Sequence, residues 1–118
     1  MRLRSDIWIA GYLRRVMAAG AFVAVRRKGV PEGGTIFLRI DHLDGNNQLF
    51  GPPPSSSSDE EPGGRAFSRL HASETIDNAA VETRLAREIK FDPDLWIVEV
   101  EDRKQRTFLQ DDEVRSPN

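Results

Sequence analysis

Three strand-like segments follow one another in the first half of the chain, at residues 21–28, 35–42 and 48–51. They are rich in β-branched and aromatic residues, and the second segment alternates between two sets of side chains. Glycine, proline and asparagine fill the two connections, which are too short to contain a crossover helix. The sequence therefore predicts an antiparallel meander, and this feature constrains the fold more than any other.

Two helices are predicted around the meander. The first begins at Ser5, a residue type that caps helix N-termini, and stops at Gly20. The second covers about residues 78–90 and ends before the Asp-Pro-Asp sequence that starts at Asp92. Apolar residues recur at helical spacing in the first helix, at Ile9, Leu13, Val16 and Met17.

Two further strands are predicted, a weak one at residues 65–71 and a clear one at 95–101, and residues 107–109 are a candidate for a short returning strand outside this count. The expected fold class is α+β, with an antiparallel sheet of four to five strands in the order helix, three-strand meander, strand, helix, strand. Both helices are expected to pack on one face of the sheet. The opposite face would then stay partly uncovered, with Phe37 and Ile97 on it.

Residues 52–64 form a low-complexity segment of proline, serine, glycine and acidic residues. Because it has no apolar side chain to bury, it cannot offset the entropy lost on ordering, and a flexible loop is predicted there. The polar residues 110–118 are expected to be a frayed tail. With 118 residues and 13.3 kDa, the chain is interpreted as one domain, residues 1–118.

The charge is divided unevenly along the chain. Residues 1–40 contain eight basic and two acidic side chains, a net charge of +6, whereas residues 41–118 contain nine and seventeen, a net charge of −8. Such asymmetry is typical of nucleic-acid binding, but it also arises when oppositely charged halves face each other within one fold. No tract resembles a basic arm and the pI is near 5.7, so the second interpretation is favoured.

Cysteine is absent from the sequence. Disulfides, thiol nucleophiles, iron–sulfur clusters and cysteine-based zinc sites are therefore excluded. The apolar run that begins at Ile7 is interrupted by Arg14 and Arg15, and it is too short for a membrane span. These features predict a cytoplasmic protein that does not enter a membrane.

The sequence contains none of the common catalytic or cofactor motifs. Gly29, Gly33 and Gly34 lie between two predicted strands, whereas a phosphate-binding glycine loop connects a strand to a helix. The two histidines, His42 and His71, lack the i,i+4 helical spacing that many metal sites use. No catalytic residue, metal site or cofactor is therefore assigned.

Acidic residues crowd into the predicted strand near the C-terminus and its flanks. Glu99 and Glu101 are two residues apart on a strand, so their carboxylates point to the same face. Paired carboxylates can share a proton or hold a divalent cation. The alternative is that these acids form ion pairs with Arg14, Arg26 or Arg39 of the basic half.

Two segments carry a resemblance to known proteins: RLRSDIWIA at residues 2–10, followed by YLRR at 12–15, and FDPDLWIVEVEDR at 91–103. A weaker block lies at residues 41–51, where a D-x-L-D-G turn precedes Leu-Phe-Gly. Together they resemble a family of small, mostly alphaproteobacterial proteins catalogued as a domain of unknown function. The resemblance covers nearly the whole chain and implies a bacterial cytoplasmic location. It implies no activity, cofactor or catalytic residue.

The same two segments define a candidate ligand site. Trp8, Tyr12 and Arg15 lie at i, i+4 and i+7 on one face of the first helix, where they could contact an anionic ligand. Carboxylates of the second segment could supply acid–base chemistry to that ligand. The candidate ligand-binding residues are Arg4, Trp8, Tyr12, Arg15, Asp92, Asp94 and Glu99.

The sequence favours a non-catalytic interaction protein, with an unknown protein partner or a second copy of itself on the uncovered sheet face. The first alternative is a small enzyme or ligand-binding domain with its site between the first helix and residues 92–101. The second is nucleic-acid binding through the basic half, with Phe37 and Arg39 as a stacking platform beside Arg26 or Arg27.

Overall fold

The computed structural model describes residues 3–54 and 65–116. Two helices lie in these ranges, α1 at Ser5–Ala18 and α2 at Asn78–Phe91. A 3-10 turn occupies Asp111–Glu113. The strands of the described ranges are β1 Phe22–Arg27, β2 Ile36–Asp41, β3 Asn46–Gly51, β4 Phe67–Arg69, β5 Ile76–Asp77, β6 Trp96–Glu101 and β7 Val114–Arg115.

These seven strands form one mixed sheet in the order β1-β6-β2-β3-β4-β7, with β5 paired to β3. β6 is antiparallel to β1 and parallel to β2, and β7 is parallel to β4. The prediction of an α+β fold is confirmed. The predicted meander is wrong at its first step, because β6 lies between β1 and β2, and the prediction of a purely antiparallel sheet of four to five strands is wrong as well.

The central position of β6 follows from its apolar side chains on both faces. Trp96, Val98 and Val100 are buried on one face, and Ile97 is buried on the other. A strand that is apolar on both faces is stable in the interior of a sheet that is covered on both sides. α2 precedes β6 and returns the chain to this central position, which no short turn could do.

The two helices cover opposite faces of the sheet. Val16 of α1 packs in one buried cluster with Leu38 of β2 and Val98 of β6. Leu85 of α2 packs in a second cluster with Phe37, the β2 residue next to Leu38. The prediction that both helices pack on one face is therefore wrong. The physical reason is that successive residues of β2 are apolar on both faces, so each face needs its own cover.

The ends of the predicted elements differ from the sequence interpretation in two places. Residues 110–116 do not form a frayed tail, because Val114–Arg115 pairs with β4 and Glu113 is buried. Residues 107–109 form an irregular segment where the sequence predicts a strand. Most of the predicted loop at 52–64, from residue 55 onward, lies outside the described residues. Neither helix of the described ranges is long and apolar enough to span a bilayer.

Candidate functional site

The predicted site residues of α1 contact the C-terminal segment of the same chain. The indole Nε1 of Trp8 donates a hydrogen bond to Glu113 Oε2 at 3.0 Å, and the Tyr12 hydroxyl donates to the carbonyl of Thr107 at 2.6 Å. Arg15 donates to the carbonyl of Phe108 and to Glu113 Oε1, the latter at 3.0 Å. These three side chains therefore bind residues 107–113, in the position that the sequence interpretation gave to a ligand.

Glu113 is the acceptor that organises this contact. Its side chain is 10% exposed, and it also accepts a hydrogen bond from the backbone N–H of Gln110 at 2.8 Å. The carboxylate therefore bridges Trp8, Arg15 and the start of the 3-10 turn. Burial raises the pKa of the Tyr12 hydroxyl, so the group that donates to the carbonyl of Thr107 stays protonated. The sequence interpretation missed Glu113, which forms a capping box with Gln110 in the structure, because the usual sequence signature of that box has Ser or Thr where this chain has Gln110.

Arg4 lies apart from the other three α1 residues. It is the residue before α1 and forms a bidentate pair with Asp6, at 3.2 and 3.1 Å, on an exposed surface. The pKa of Asp6 is lowered, chiefly by its hydrogen bond from Arg4. The prediction that Ser5 caps the helix is wrong, because its hydroxyl donates to the carbonyl of Gly34 at 2.6 Å instead.

Asp92 and Asp94 shape the turn between α2 and β6. Asp92 Oδ1 accepts the backbone N–H of Asp94 at 3.0 Å, a local bond that fixes the turn. The carbonyl of Asp94 accepts the N–H of Val30 at 2.9 Å, and the carbonyl of Pro93 accepts a hydrogen bond from Arg27 at 2.7 Å. This turn is therefore tied to the end of β1 and to the glycine turn that follows it.

Gly29 and Gly34 explain why that turn is rich in glycine. A Cβ at Gly29 would lie 2.3 Å from the carbonyl oxygen of Asp94, and one at Gly34 would lie 2.5 Å from the same atom. Such distances are far shorter than van der Waals contact, and the opposing atoms belong to the backbone. These two glycines therefore permit close backbone packing and do not form a phosphate-binding loop.

Glu99 lies on the α2 face of the sheet, within a cluster of ion pairs. Its carboxylate accepts hydrogen bonds from Arg26 at 2.8 Å and from Arg39 at 3.1 Å, and both arginines also contact Glu82 of α2. Hydrogen bonds to Glu82 and Glu99 raise the pKa of Arg26, and the hydrogen bond from Arg26 lowers the pKa of Glu82. The alternative that acids of this segment pair with Arg26 or Arg39 is confirmed for Glu99.

Two asparagines extend this cluster inward. The amide oxygen of the buried Asn47 accepts a hydrogen bond from Arg39 at 3.0 Å. Its amide nitrogen donates to Asn78 Oδ1 at 2.8 Å and to the carbonyl of Ile76 at 3.2 Å. The polar groups of the cluster are therefore satisfied by one another, as buried polar networks require.

The structure does not bring the seven candidate residues together around one cavity. Trp8, Tyr12 and Arg15 lie on the α1 face, whereas the Glu99 carboxylate lies on the α2 face, so the sheet separates them. Two cavities described below are lined by none of the seven. A ligand site between the first helix and residues 92–101 stays a prediction.

The stacking platform proposed for nucleic acid is not exposed. Phe37 is 4% exposed and lies under α2, and Arg39 is held by Asn47, Asn78 and Glu99. Stacking requires an aromatic face that is open to bases. The β2 residues of this platform are therefore occupied by packing inside the fold.

The histidines occupy different environments. His42, at the end of β2, is 3% exposed, and neither ring nitrogen has a hydrogen-bond partner in the described part of the chain. Both ring nitrogens of His71 form hydrogen bonds, one with the backbone N–H of Leu49 and one with the carbonyl of Ser73. Among the described residues, no group of three or more potential metal ligands lies close together.

β1 forms one edge of the sheet and exposes apolar side chains there. It pairs with β6 on one side, and no described strand pairs with its other side. Phe22 is 58% exposed and Val25 is 38% exposed, although both belong to a regular strand. An edge strand also directs backbone N–H and C=O groups outward, where they can pair with another strand. β1 is therefore a candidate interaction surface.

The charges along β1 differ between its two ends. Phe22 pairs with the exposed Glu101 of β6 at one end, and the exposed Lys28 follows Arg27 at the other. A register shift between Val25 and Arg27 marks a bulge at the basic end. Bulges and basic residues discourage edge pairing, and here they are confined to that end. The four residues from Phe22 to Val25 carry neither feature.

In residues 3–54 and 65–116 the fold is a seven-stranded mixed sheet with one helix on each face, and the cavities of this part show no catalytic constellation. The chain belongs to the family described as protein of unknown function (DUF1491), which matches residues 3–110. The family resemblance seen in the sequence is thereby confirmed. None of the curated proteins matches this chain.

Solved structures of relatives share this fold over most of their length. A crystal structure of a DUF1491 family protein from Caulobacter crescentus is 31% identical, covers 98% of this chain and 100% of its own, and superposes with a TM-score of 0.76. An NMR structure of a family protein from the same species is 34% identical, with coverages of 98% and 99% and a TM-score of 0.77. A solution structure of a protein from A. tumefaciens is 39% identical, with 86% of both chains covered and a TM-score of 0.72.

Proposed function

We propose that this protein is a non-catalytic interaction module that forms a homodimer through β1. The observation that carries the proposal is the exposed, unpaired β1 edge with the apolar side chains of Phe22 and Val25. The uncovered sheet face that the sequence predicts does not exist, because α2 covers it. The strand edge takes its place as the surface for a second copy.

Antiparallel pairing of two β1 strands suits a twofold axis. An axis at Ala24 would place Phe22 of one copy opposite Arg26 of the other, and Val23 opposite Val25. Phe22 could then contact a guanidinium group, and the two valines would bury each other on the α1 side. The outward backbone groups of both strands would be satisfied by the same pairing, as in other cases of strand addition.

Charge complementarity favours a second copy over an unrelated strand. In antiparallel pairing the Lys28 end of one β1 lies beside the Phe22 end of the other, where Glu101 is exposed. The same contact occurs twice because the axis is twofold, so each basic end meets an acidic neighbour. A parallel arrangement would instead bring the two basic ends together.

The mass of the protein in solution tests the proposal. Light scattering coupled to size-exclusion chromatography should give twice the chain mass of 13.3 kDa as the loading concentration rises. Val25→Lys should give a monomer, because it places two like charges close to the axis. Val30→Lys is the matched control, since Val30 is 37% exposed and lies outside β1. A monomeric wild-type protein at every concentration would overturn the proposal.

The absence of cysteine permits a direct test of the pairing geometry. Ala24→Cys places one thiol on each copy at the axis, and a short bismaleimide should link the two copies efficiently. Ala86→Cys, at an exposed position of α2, should remain unlinked under the same conditions. Equal linking of the two variants would contradict pairing through β1.

We also propose that the protein is located in the bacterial cytoplasm. It is supported by the absence of cysteine from the sequence and by bacterial relatives with the same fold. Fractionation of bacterial cells that produce the tagged protein would test it. Recovery of the protein in the periplasmic or membrane fraction would contradict it.

A further inference from the structure

A groove lies on the far side of the molecule from β1, between α2 and the loop that follows β4. Its volume is about 500 Å³. One part of its wall is apolar, formed by Pro52, Pro54 and Leu70, and another part is polar, formed by Arg69, His71 and Arg84. We propose that this groove binds a small organic anion, with its phosphate or carboxylate group against the two guanidinium groups and its apolar portion against the prolines.

Among the described residues, no carboxylate pairs with the guanidinium group of Arg69. Its Nε donates to the carbonyl of His71 at 3.0 Å, and its Nη2 donates to the carbonyl of Ala72 at 3.3 Å. In the described part of the chain it takes part in no ion pair, and no hydrogen bond uses its Nη1. The backbone therefore holds the guanidinium group in place and leaves donor capacity for a ligand.

Arg84 approaches the same groove from α2. Its Nη1 donates to the carbonyl of Leu70 at 3.1 Å, and its Nε pairs with Glu88 at 2.7 Å on the same helix. No hydrogen bond among the described residues uses its Nη2. Glu88 offsets one of the two positive charges, so the polar wall still carries a net positive charge. Two arginines anchored by backbone carbonyls are pre-organised for an oxyanion.

His71 lines the groove together with Arg69 and Arg84, and its hydrogen bonds define its protonation state. Its Nδ1 lies 2.8 Å from the carbonyl of Ser73, and its Nε2 lies 3.1 Å from the backbone nitrogen of Leu49. The carbonyl can only accept and the N–H can only donate, so the ring is neutral with its proton on Nδ1. Burial is the main cause of the lowered pKa of His71, and the charges of Arg69 and Arg84 lower it further. The ring therefore adds shape and no charge to the groove.

A second cavity extends the positive surface. Its volume is about 370 Å³, and it shares Arg69 with the groove and is also lined by Arg115. Arg115 donates to the carbonyl of Asp112 at 2.7 Å, which again leaves its charge without a carboxylate partner among the described residues. The field of three guanidinium groups favours an anion at Arg69 over a neutral ligand.

Titration with defined probes tests the proposal. Chemical-shift changes of backbone amides would be followed with phenyl phosphate, benzoate and inorganic phosphate added to the full chain. Phenyl phosphate should bind saturably with shifts at residues 69–72 and 84, and more tightly than inorganic phosphate because its ring contacts the prolines. Tighter binding of phenyl phosphate than of benzoate identifies phosphate as the preferred group, and the reverse order identifies carboxylate. Absence of saturable shifts with all three probes would overturn the proposal.

A pair of variants separates charge from steric effects. Ala72 is exposed at the rim of the groove and its side chain forms no hydrogen bond, so its replacement leaves both arginines anchored. Ala72→Glu should weaken binding of the preferred probe at least about tenfold, because it adds a negative charge beside the ligand. Ala72→Gln has nearly the same size and should bind within about threefold of the wild type. Equal weakening by the two variants would contradict recognition by charge.

Two further variants define the site. Arg69→Gln should also weaken binding at least about tenfold. Arg14→Gln, on the exposed surface of α1 across the sheet, should leave binding unchanged. If Arg14→Gln weakened binding as much as Arg69→Gln, the shifts would reflect general charge attraction and the groove would not be the site. The groove lies beside β4, toward the edge of the sheet opposite to β1. Ligand binding at the groove can therefore be tested independently of whether the protein dimerises through β1.

Discussion

His71 joins the loop after β4 to β3 through its two ring nitrogens. The bond from the backbone N–H of Leu49 requires an unprotonated Nε2, so the folded protein selects the neutral ring. Burial is the first cause of the lowered pKa, followed by the repulsion of Arg69 and Arg84. The folded state therefore binds a second ring proton on His71 less readily than the unfolded state does. For this reason the free energy of unfolding depends on pH through His71.

We expect the stabilisation from His71 to be present above about pH 6.5, the ordinary pKa of histidine in an unfolded chain. As the pH falls below that value, the unfolded state takes up a proton first, and the stabilisation is lost toward the lowered pKa of the folded state. The difference in free energy of unfolding between wild type and His71→Gln should therefore shrink between pH 7.5 and pH 5.5 in urea titrations. A difference that grows as the pH falls would contradict this sign.

Asp102 shows the same linkage with a carboxylate. It accepts two hydrogen bonds from the guanidinium group of Arg106, at 2.8 and 3.0 Å, and one from its backbone N–H at 3.0 Å. The side-chain bond from Arg106 is the main cause that lowers the pKa of Asp102 to about 2. Its contribution to stability is present above about pH 4 and is lost as the pH falls toward 2. The Arg106 side chain is 39% exposed, so solvent screening keeps this contribution small.

At the scale of elements, the C-terminal segment acts as a cover for α1. Residues 107–113 contact Trp8, Tyr12 and Arg15 by four hydrogen bonds, and β7 then pairs with β4. Phe108 adopts a φ of 59°, a left-handed conformation that is uncommon for a bulky residue, and its carbonyl accepts the bond from Arg15. Trp8 and Tyr12, which the sequence alone interprets as part of a ligand-binding face, therefore belong to the core, and the partly exposed Arg15 lies at its margin.

Glu113→Ala should lower the free energy of unfolding by about 1–3 kcal/mol, because it leaves the buried indole N–H of Trp8 without its acceptor. Glu113→Gln is the control, since its amide oxygen can still accept from Trp8 while the charge that pairs with Arg15 is removed. Denaturant unfolding followed by tryptophan fluorescence measures both. If the glutamine variant were as unstable as the alanine variant, the ion pair with Arg15 and not the indole bond would hold the segment.

At the scale of the whole molecule, one sheet separates two buried clusters. Trp8 and Trp96 both lie in the cluster on the α1 side, whereas Leu85 belongs to the cluster on the α2 side. Each strand at the centre of the sheet contributes side chains to both clusters, so neither side can unfold while the other stays packed. Small domains of this kind unfold in one cooperative transition.

Leu85→Ala should therefore lower the free energy of unfolding by about 2–5 kcal/mol, since its side chain is 1% exposed and its loss leaves a cavity. Tryptophan fluorescence reports on the α1 side, and circular dichroism reports on the whole chain. Both transitions should move together to lower denaturant concentration, and Ala86→Ser at the neighbouring exposed position should move neither. A fluorescence transition that stays at the wild-type concentration would show that the two clusters unfold separately.

The sequence by itself determined the local elements, because capping, periodicity and turn residues act over a few positions. Both helices form close to the predicted residues, and Asp77 caps α2 by accepting the backbone N–H of Ala80 at 2.8 Å. The strand at 96–101 and the family resemblance were equally visible in the sequence. Local signals of this kind do not depend on which elements later become neighbours.

Only the tertiary structure decided which strands pair and which surfaces stay open. The side-chain pattern of β2 is compatible with either β1 or β6 as its neighbour. Because β6 is apolar on both faces, it pairs with β2 in parallel at the centre of the sheet, and β1 is left at the edge. In the resulting fold β1 is an exposed edge, and Glu99 and Trp8 lie on opposite faces of the sheet. Arg69 and Arg84 line the same groove. Contacts between residues far apart in sequence are set by competition for burial among all elements, which no single segment encodes.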